Sequence, residues 1–396
     1  MRIATANSYD TALEQLFKRQ SDLALQQEKL GTGLRVNRPS DDPTGAALAE
    51  RARVRLSRIE VDQRALEAQR SALASAETSL GDAVSLVQGI RELAISAGNA
   101  AYSAKDRASV VQHMADLRDQ LLAVANRTDA NGVPLFGGLG SSGAPFADLP
   151  SGVLYQASGG QRAATTTALP GAMDGQAIWM NVASGNGNFD VALGPGNTGT
   201  AWTNAGVVVS PAALTSDNYR ISFTVLAGVT SYDVVDTTTL VTVATAQPYI
   251  EGAPIQFDGL SIEVRGKPGN GDAVDVTPSI QTNIFQVLDE AIAGIGNSSG
   301  SHLLTQAVTR ALQQMDSSLD RLHAARSQAG DWLNRADSIT SMQGKNTQAL
   351  EGERSRAQDL DMAKGISDFN KFQTGYQAAL QSYAQIQRLS LFNYIN

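Results

Sequence analysis

Near the start of the chain, apolar residues repeat every three or four positions, and this spacing limits what the chain can fold into. A 4-3-4-3 spacing places side chains along one side of an α-helix, as in a helix that packs lengthwise against another helix. An isolated helix of this kind is marginal in water. The segment therefore needs a helical partner, and we expect it to be disordered until it finds one. The seam positions are Tyr9, Leu13, Leu16, Gln20, Leu23, Gln27 and Leu30.

The repeat stops in a stretch that combines helix-breaking and helix-starting residues. Gly31 and Gly33 weaken a helix interior, and Pro39 supplies no amide donor. Asp42 can then cap a new helix whose first residue is Pro43. These features predict a linker over residues 31–42, although an ordinary helix–loop–helix corner fits the local pattern equally well. The predicted linker and helix start comprise Gly31, Gly33, Pro39, Asp41, Asp42 and Pro43.

Two helices are predicted after the linker. The first covers about 50 residues and ends at the pair Gly98-Asn99, since both residue types tolerate the conformation found after helix ends. Another helix begins at about Asp106 and closes before the turn pair Asn131-Gly132. The heptad positions of the long helix are Ile59, Leu66, Leu73, Leu80, Val87 and Ala94.

Composition changes between residues 138 and 278, where Gly, Ser, Thr, Asn and Pro dominate and the apolar period falls to two. Alternation over 178–182 and over 189–193 predicts a β-hairpin, and 219–225 reads as a further strand. A second hairpin is predicted between 260–264 and 274–276, across the turn GKPGNGD.

Helical periodicity returns at residue 284, breaks at 296–300 and continues to the end of the chain. The last segment has 4-3 spacing and is richer in aromatic residues than the first. Since burying one Leu or Phe side chain is worth about 1.5–3 kcal/mol, the two terminal seams should pair with each other and with neighbouring copies. The predicted assembly interface comprises Leu13, Leu16, Leu23, Leu30, Ile366, Phe369, Tyr376, Leu380, Tyr383, Leu389 and Phe392.

The predicted fold class is mainly α with an inserted β domain. Both chain ends form a long antiparallel helical bundle or coiled coil, with the β-rich domain at its tip. Residues 1–42 plus 358–396 form the terminal polymerisation region, 43–137 plus 279–357 a helical rod, and 138–278 the inserted domain. A polymer of parallel subunits is the simplest assembly, and a discrete soluble coiled-coil protein is the alternative.

Composition argues against several classes of function. The formal net charge of −8 offers no broad basic field, so nucleic acid is an unexpected partner. The first twenty residues lack the apolar core of a secretory signal, and no apolar run is long enough for a membrane helix. We therefore expect no membrane insertion, and either a cytoplasmic protein or one exported without a cleaved signal peptide.

Residues that could carry catalysis are scattered. His113, His302 and His323 lack the spacing of a metal site, so we expect them at the surface. Asp41 and Asp42 could in principle act as paired acids, but their position before Pro43 favours helix capping. No phosphate-binding glycine loop or nucleophile elbow is present. We expect no cofactor and no metal, and binding chemistry carried by apolar helix surfaces.

Several motifs resemble one family. The stretch LGTGLRVNRPSDDPTGAALA at 30–49 resembles the N-terminal signature of the flagellin superfamily, and its form RVNRPSDDP is similar to that of the hook–filament junction proteins, the hook-associated protein 3 (FlgL) family. The segments around 125–138 and 390–395 are similar to the same family. The resemblance covers about 1–138 and 280–396, with a shorter similarity at 255–276.

This resemblance implies a structural, non-catalytic protein of the bacterial flagellum. It implies export through the flagellar channel and assembly, as a ring of copies, between the hook-side junction protein and flagellin. A cytoplasmic export chaperone of the FlgN type would cover the C-terminal seam. A flagellin filament subunit is the first alternative, and an extracellular glycan-binding or hydrolytic module carried by the β domain is the second.

Overall fold

The computed structural model describes the backbone of residues 2–99, 101–141 and 143–395, and the side chains of these ranges from residue 9 to residue 385. Seven α-helices lie in the described ranges. They are α1 Arg2–Thr32, α2 Pro43–Ala97, α3 Ala104–Ala125, α4 Gly175–Trp179, α5 Ile284–Gly296, α6 Ser301–Gln358 and α7 Met362–Ile395. No helix among the described residues is both long enough and apolar enough to span a membrane.

The chain divides into two compact units. One contains Met1–Arg64 and Ser338–Asn396, and the other contains Ala65–Asp337. The units divide within α2 and α6, because each of these long helices runs through both. The predicted boundary at residues 42 and 43 coincides instead with the break between α1 and α2.

In the first unit, α1 and α7 run antiparallel. Near one end the rings of Tyr9 and Tyr383 lie 5.5 Å apart, and near the other Gln26 donates a hydrogen bond to the carbonyl oxygen of Gly365. Pairing between the two chain ends is therefore made within one molecule.

In the second unit, a capping box closes the connection from α2 to α3 at the start of α3. The α3 helix begins two residues before the predicted Asp106, because Ser103 and Asp106 form a reciprocal capping box. The α3 helix also packs against α5 through Arg118. This guanidinium pairs with Asp289 of α5 at 3.0 Å and lies 5.9 Å from the ring centre of Phe285.

The residues between α3 and α5 are rich in β-structure. The strands are β1 Phe146–Leu149, β2 Gly152–Tyr155, β3 Val182–Ala183, β4 Phe189–Leu193, β5 Trp202–Thr203, β6 Val207–Val208, β7 Tyr219–Leu226, β8 Val229–Asp236, β9 Thr242–Pro248, β10 Pro254–Phe257, β11 Leu260–Arg265, β12 Ala273–Pro278 and β13 Gln281–Thr282. One antiparallel sheet has the order β4-β12-β7-β8-β9, and a second contains β10, β11, β5 and β6.

These two sheets share one apolar core. Ile221, Phe223 and Val274 of the five-stranded sheet are buried in the same cluster as Ile262 and Val264 of β11. The prediction of a mainly helical chain with an inserted β domain is thus confirmed.

Both predicted hairpins are wrong. Residue Ile178 lies in the short helix α4, β3 pairs with β13, and β4 pairs with β12. The spacing from Ile178 to Val182 fits a helical turn as well as a strand, which explains the ambiguity.

The second hairpin fails because its two strands lie in different sheets. Strand β11 pairs with β10, β5 and β6, whereas β12 pairs with β4 and β7. The carboxylate of Asp272 accepts hydrogen bonds from the backbone amides of Thr198 and Gly199, and so ties the connecting loop to another segment. The alternation of apolar residues along a strand does not reveal these hydrogen bonds.

Candidate assembly interface

The predicted linker forms one half of a joint between two pairs of helices. The α1 helix ends at Thr32, and the φ of +73° at Gly33 suits the residue that follows a helix end. The carbonyl oxygen of Gly33 accepts a 2.9 Å hydrogen bond from the amide of Leu360, and the amide of Arg35 donates to Gln358 at 2.8 Å. The α1–α2 linker is therefore hydrogen-bonded to the last residue of α6 and to the α6–α7 linker, so the two breaks lie side by side.

Two aspartates set the geometry of the joint. The carboxylate of Asp42 accepts a 2.9 Å hydrogen bond from the amide of Gly45, as a cap of α2, and pairs with Arg35 at 3.1 Å. The Gly45 amide and the Arg35 side chain lower the pKa of Asp42. Asp41 instead accepts hydrogen bonds from the backbone amides of Asn37 and Arg38. These contacts give both carboxylates a structural role.

Along α1, the predicted seam residues Leu13, Leu16, Leu23 and Leu30 are half-buried. None of them reaches the burial of a core residue in the described molecule. The α1–α7 pair therefore leaves part of its apolar surface in contact with solvent.

Along α7, the predicted seam divides into two faces. Phe369, Tyr376 and Tyr383 are half-buried, whereas Ile366 and Leu380 are 51% and 41% exposed. Met362, at 48%, belongs to the exposed group. We call the group Met362, Ile366 and Leu380 the outer stripe of α7. The predicted residues Leu389 and Phe392 lie within α7, but their side chains fall outside the described ones.

The contact that fixes α1 against α7 is missing from the sequence prediction. Gln26 is only 8% exposed, and its side-chain amide donates to the Gly365 carbonyl at 2.9 Å. A side chain on Gly365 would begin 2.9 Å from Leu360 and 3.1 Å from Leu30, so glycine allows the close approach. The heptad pattern points to Gln20 and Gln27 as seam positions, and only burial identifies Gln26.

Residues considered for other chemistry have structural explanations. Among the described residues, no group of three or more acidic or histidine side chains could hold a metal ion. Asn126, in a formal glycosylation sequon, exchanges two 2.9 Å hydrogen bonds with the backbone of Phe146. Its side-chain amide is therefore engaged in holding strand β1.

The chain is similar in sequence and in structure to known proteins. The model of the bacterial flagellin N-terminal helical region matches residues 3–141, and that of the flagellin C-terminal helical region matches residues 312–395. A crystal structure of flagellar hook-associated protein 3 from Legionella pneumophila is 30% identical, with a TM-score of 0.73, and covers 78% of this chain and 98% of that chain.

Two curated relatives match over most of their length. Flagellar hook-associated protein 3 of Salmonella typhimurium is 24% identical, with 99% of each chain covered. A flagellin of Clostridium tyrobutyricum is 25% identical, with 90% of this chain and 91% of the relative covered.

Paired terminal helices with a β-rich insert between them in the sequence, together with both flagellin helical regions, define a protein of the flagellin superfamily. Within it, the chain belongs to the hook-associated protein 3 (FlgL) family. It is a structural component of the bacterial flagellum, and the flagellin alternative has less support.

Proposed function

We propose that the protein joins the hook to the filament, as a ring of copies between the hook-side junction protein and the first flagellin subunits. The observation that carries this proposal is the outer stripe of α7, where Met362, Ile366 and Leu380 are each 41–51% exposed. Exposed apolar side chains at helical spacing mark a surface that another helix covers.

Each segment of the chain has its own proposed role. Residues 1–42 and 358–396 form the polymerising region, residues 43–137 and 279–357 a rod, and residues 138–278 a domain outside the polymer. In the monomer the terminal helices pack on each other, and their half-buried seam offsets little of the ordering entropy. Neighbouring copies supply the missing burial, which restricts polymerisation to the growing flagellum.

The same surface explains the proposed partners. A cytoplasmic chaperone of the FlgN type covers the apolar α7 surface until the chain leaves through the flagellar export channel. Outside the cell, the role proposed for the protein itself is structural and needs no catalysis, cofactor or nucleic acid. The relatives named as flagellar hook-associated and junction proteins support the structural role at the junction.

A deletion strain tests the proposal. We expect hooks without filaments in electron micrographs and flagellin released into the medium, with both restored by the wild-type gene. Normal filaments in the deletion strain would refute the junction role. Long filaments grown from seeds by the purified protein alone would instead support the flagellin alternative.

A further inference from the structure

The α2 helix carries a second seam on the side away from its buried residues. Ala52 and Ala49, at 1% and 6% exposure, belong to its buried side, whereas Val54 and Val61 are 60% and 53% exposed. The exposed seam has a 4-3-4-3 spacing, which places its members on one stripe. It comprises Ala47, Arg51, Val54, Arg58 and Val61, all exposed, and we call it the basic seam of α2.

The charges of the basic seam are uncompensated within the described chain. Arg53, outside the seam, pairs with Glu50. Neither Arg51 nor Arg58 has a carboxylate of a described residue at ion-pair distance. The stripe thus alternates valine with unpaired arginine.

The α1 helix carries a matching stripe of opposite charge. Phe17 is 59% exposed, and Asp10 and Glu14 precede it at helical spacing. Leu25, at 42%, extends the apolar surface by two turns. The exposed positions with 4-3-4-3 spacing are Asp10, Glu14, Phe17, Ser21 and Ala24, and we call them the acidic seam of α1.

We propose that the acidic seam of α1 in one copy docks on the basic seam of α2 in a second copy. Both stripes have heptad spacing, both have large apolar side chains near the middle, and their charges are opposite. Complementary charge fixes partner and register, while the apolar side chains supply the burial.

In the structure, the acidic seam of α1 does not pack on the basic seam of α2 of the same chain. Gln26 and Tyr9 hold α1 against α7 through Gly365 and Tyr383, and both seams stay exposed in the same molecule. This inference rests on the proposed function in one respect, since the ring of copies brings the second chain into reach.

Charge reversal tests the contact in the full-length protein. With the two helices parallel and Phe17 opposite Val54, Glu14 faces Arg51, and Ser21 lies beside Ser57. Glu14→Arg and Arg51→Glu, expressed singly in the deletion strain, should each lower the number of filaments per cell about tenfold, because like charges then face each other. The double variant should return to within about twofold of wild type. Arg53→Glu makes the same charge change outside the seam and should leave the filament number unchanged. Unchanged filament numbers in the single variants, or no recovery in the double variant, would overturn the proposal.

Disulfide cross-linking tests this contact separately from the junction role. The chain contains no cysteine of its own, so any cross-link comes from the introduced cysteines. Copies carrying Ser21→Cys and copies carrying Ser57→Cys, co-expressed and oxidised on isolated flagella, should give a covalent dimer. Replacing Ser57→Cys by Ser85→Cys, about 42 Å further along α2 by the helical rise, should give none. No dimer from the first pair, or a purely intramolecular cross-link when one chain carries both cysteines, would overturn the contact. A deletion strain that keeps its filaments would refute the junction role without changing the cross-linking result.

Discussion

At the scale of single residues, Asp272 shows how one carboxylate organises the β-rich insert. It is 2% exposed and accepts hydrogen bonds from the amides of Thr198, Gly199 and Gly269 at 2.7–2.9 Å. Asp272→Ala leaves these donors unpaired, and we expect a loss of roughly 2–4 kcal/mol in the free energy of unfolding. Urea unfolding measures the change. Asp217→Ala is the matched control, and an equal loss there would contradict this role.

The same residue predicts how the insert responds to pH. Burial alone would raise the pKa of Asp272, but the amide donors outweigh it and lower the pKa below its usual value. A carboxyl with a lowered folded-state pKa stabilises the fold above its unfolded pKa of about 3.9, and this contribution is lost as pH falls. Below about pH 4, wild type should therefore lose more stability than Asp272→Asn. Parallel pH profiles of the melting temperature would refute the prediction.

At the scale of secondary-structure elements, Arg118 holds three elements together. Its side chain is 8% exposed, and it pairs with Asp148 of β1 and with Asp289 of α5. Both carboxylates are about 40% exposed, so they regain water when the cation is removed. Arg118→Met should cost about 2–3 kcal/mol, below the range for a fully buried pair.

Thermal unfolding of Arg118→Met can be compared with that of Arg91→Met. Arg91 pairs with Asp316 at 2.8 Å, but both side chains are exposed, and such a pair is worth less than about 1 kcal/mol. We expect a clear fall in melting temperature for the first variant and little change for the second. Equal shifts in melting temperature would show that Arg118 contributes no more to stability than an exposed ion pair does.

The long helices were predictable from sequence, whereas the short helix α4 and the strand partners were not. A 3.5-residue repeat over dozens of positions is compatible with few structures other than a long helix. The helix ends near Gly33, Gly98 and 296–300 are marked by glycine and other helix-ending residues. Strand pairing depends on contacts distant in sequence. Asp272 ties the loop before β12 to Thr198 and Gly199 through such contacts, which alternation of apolar residues cannot reveal.

The burial of the residues in the proposed assembly interface was predictable only in outline. A heptad pattern identifies apolar positions on α7, but it cannot separate Tyr376, which is half-buried, from Leu380, which is 41% exposed. That separation depends on how closely α1 approaches, and Gln26 with Gly365 sets this distance. A polar residue and a glycine give no signal in an apolar pattern.

At the scale of the whole molecule, the proposed polymerising ends and the rest of the chain should be separable by mutation. Replacing Tyr376, Leu380 and Tyr383 by Ala removes apolar surface from both faces of α7. We expect loss of filament attachment with folding of residues 45–355 unchanged, measured by electron microscopy of cells and by thermal unfolding of the purified protein. Normal motility of the triple variant would contradict the claim.

Stability should also differ between the ends and the interior in the isolated monomer. The α1–α7 pair is half-buried along its seam, whereas Leu73, Leu80 and Val87 of α2 are at most 1% exposed. Since protection of amides follows local burial, α1 and α7 should exchange their amide hydrogens far faster than the α2 segment around these residues. Hydrogen exchange read by mass spectrometry distinguishes the two in one experiment. Strong protection over 13–30 and 376–392 would show that the ends are already stably folded, and burial by neighbouring copies would then not be what drives their ordering.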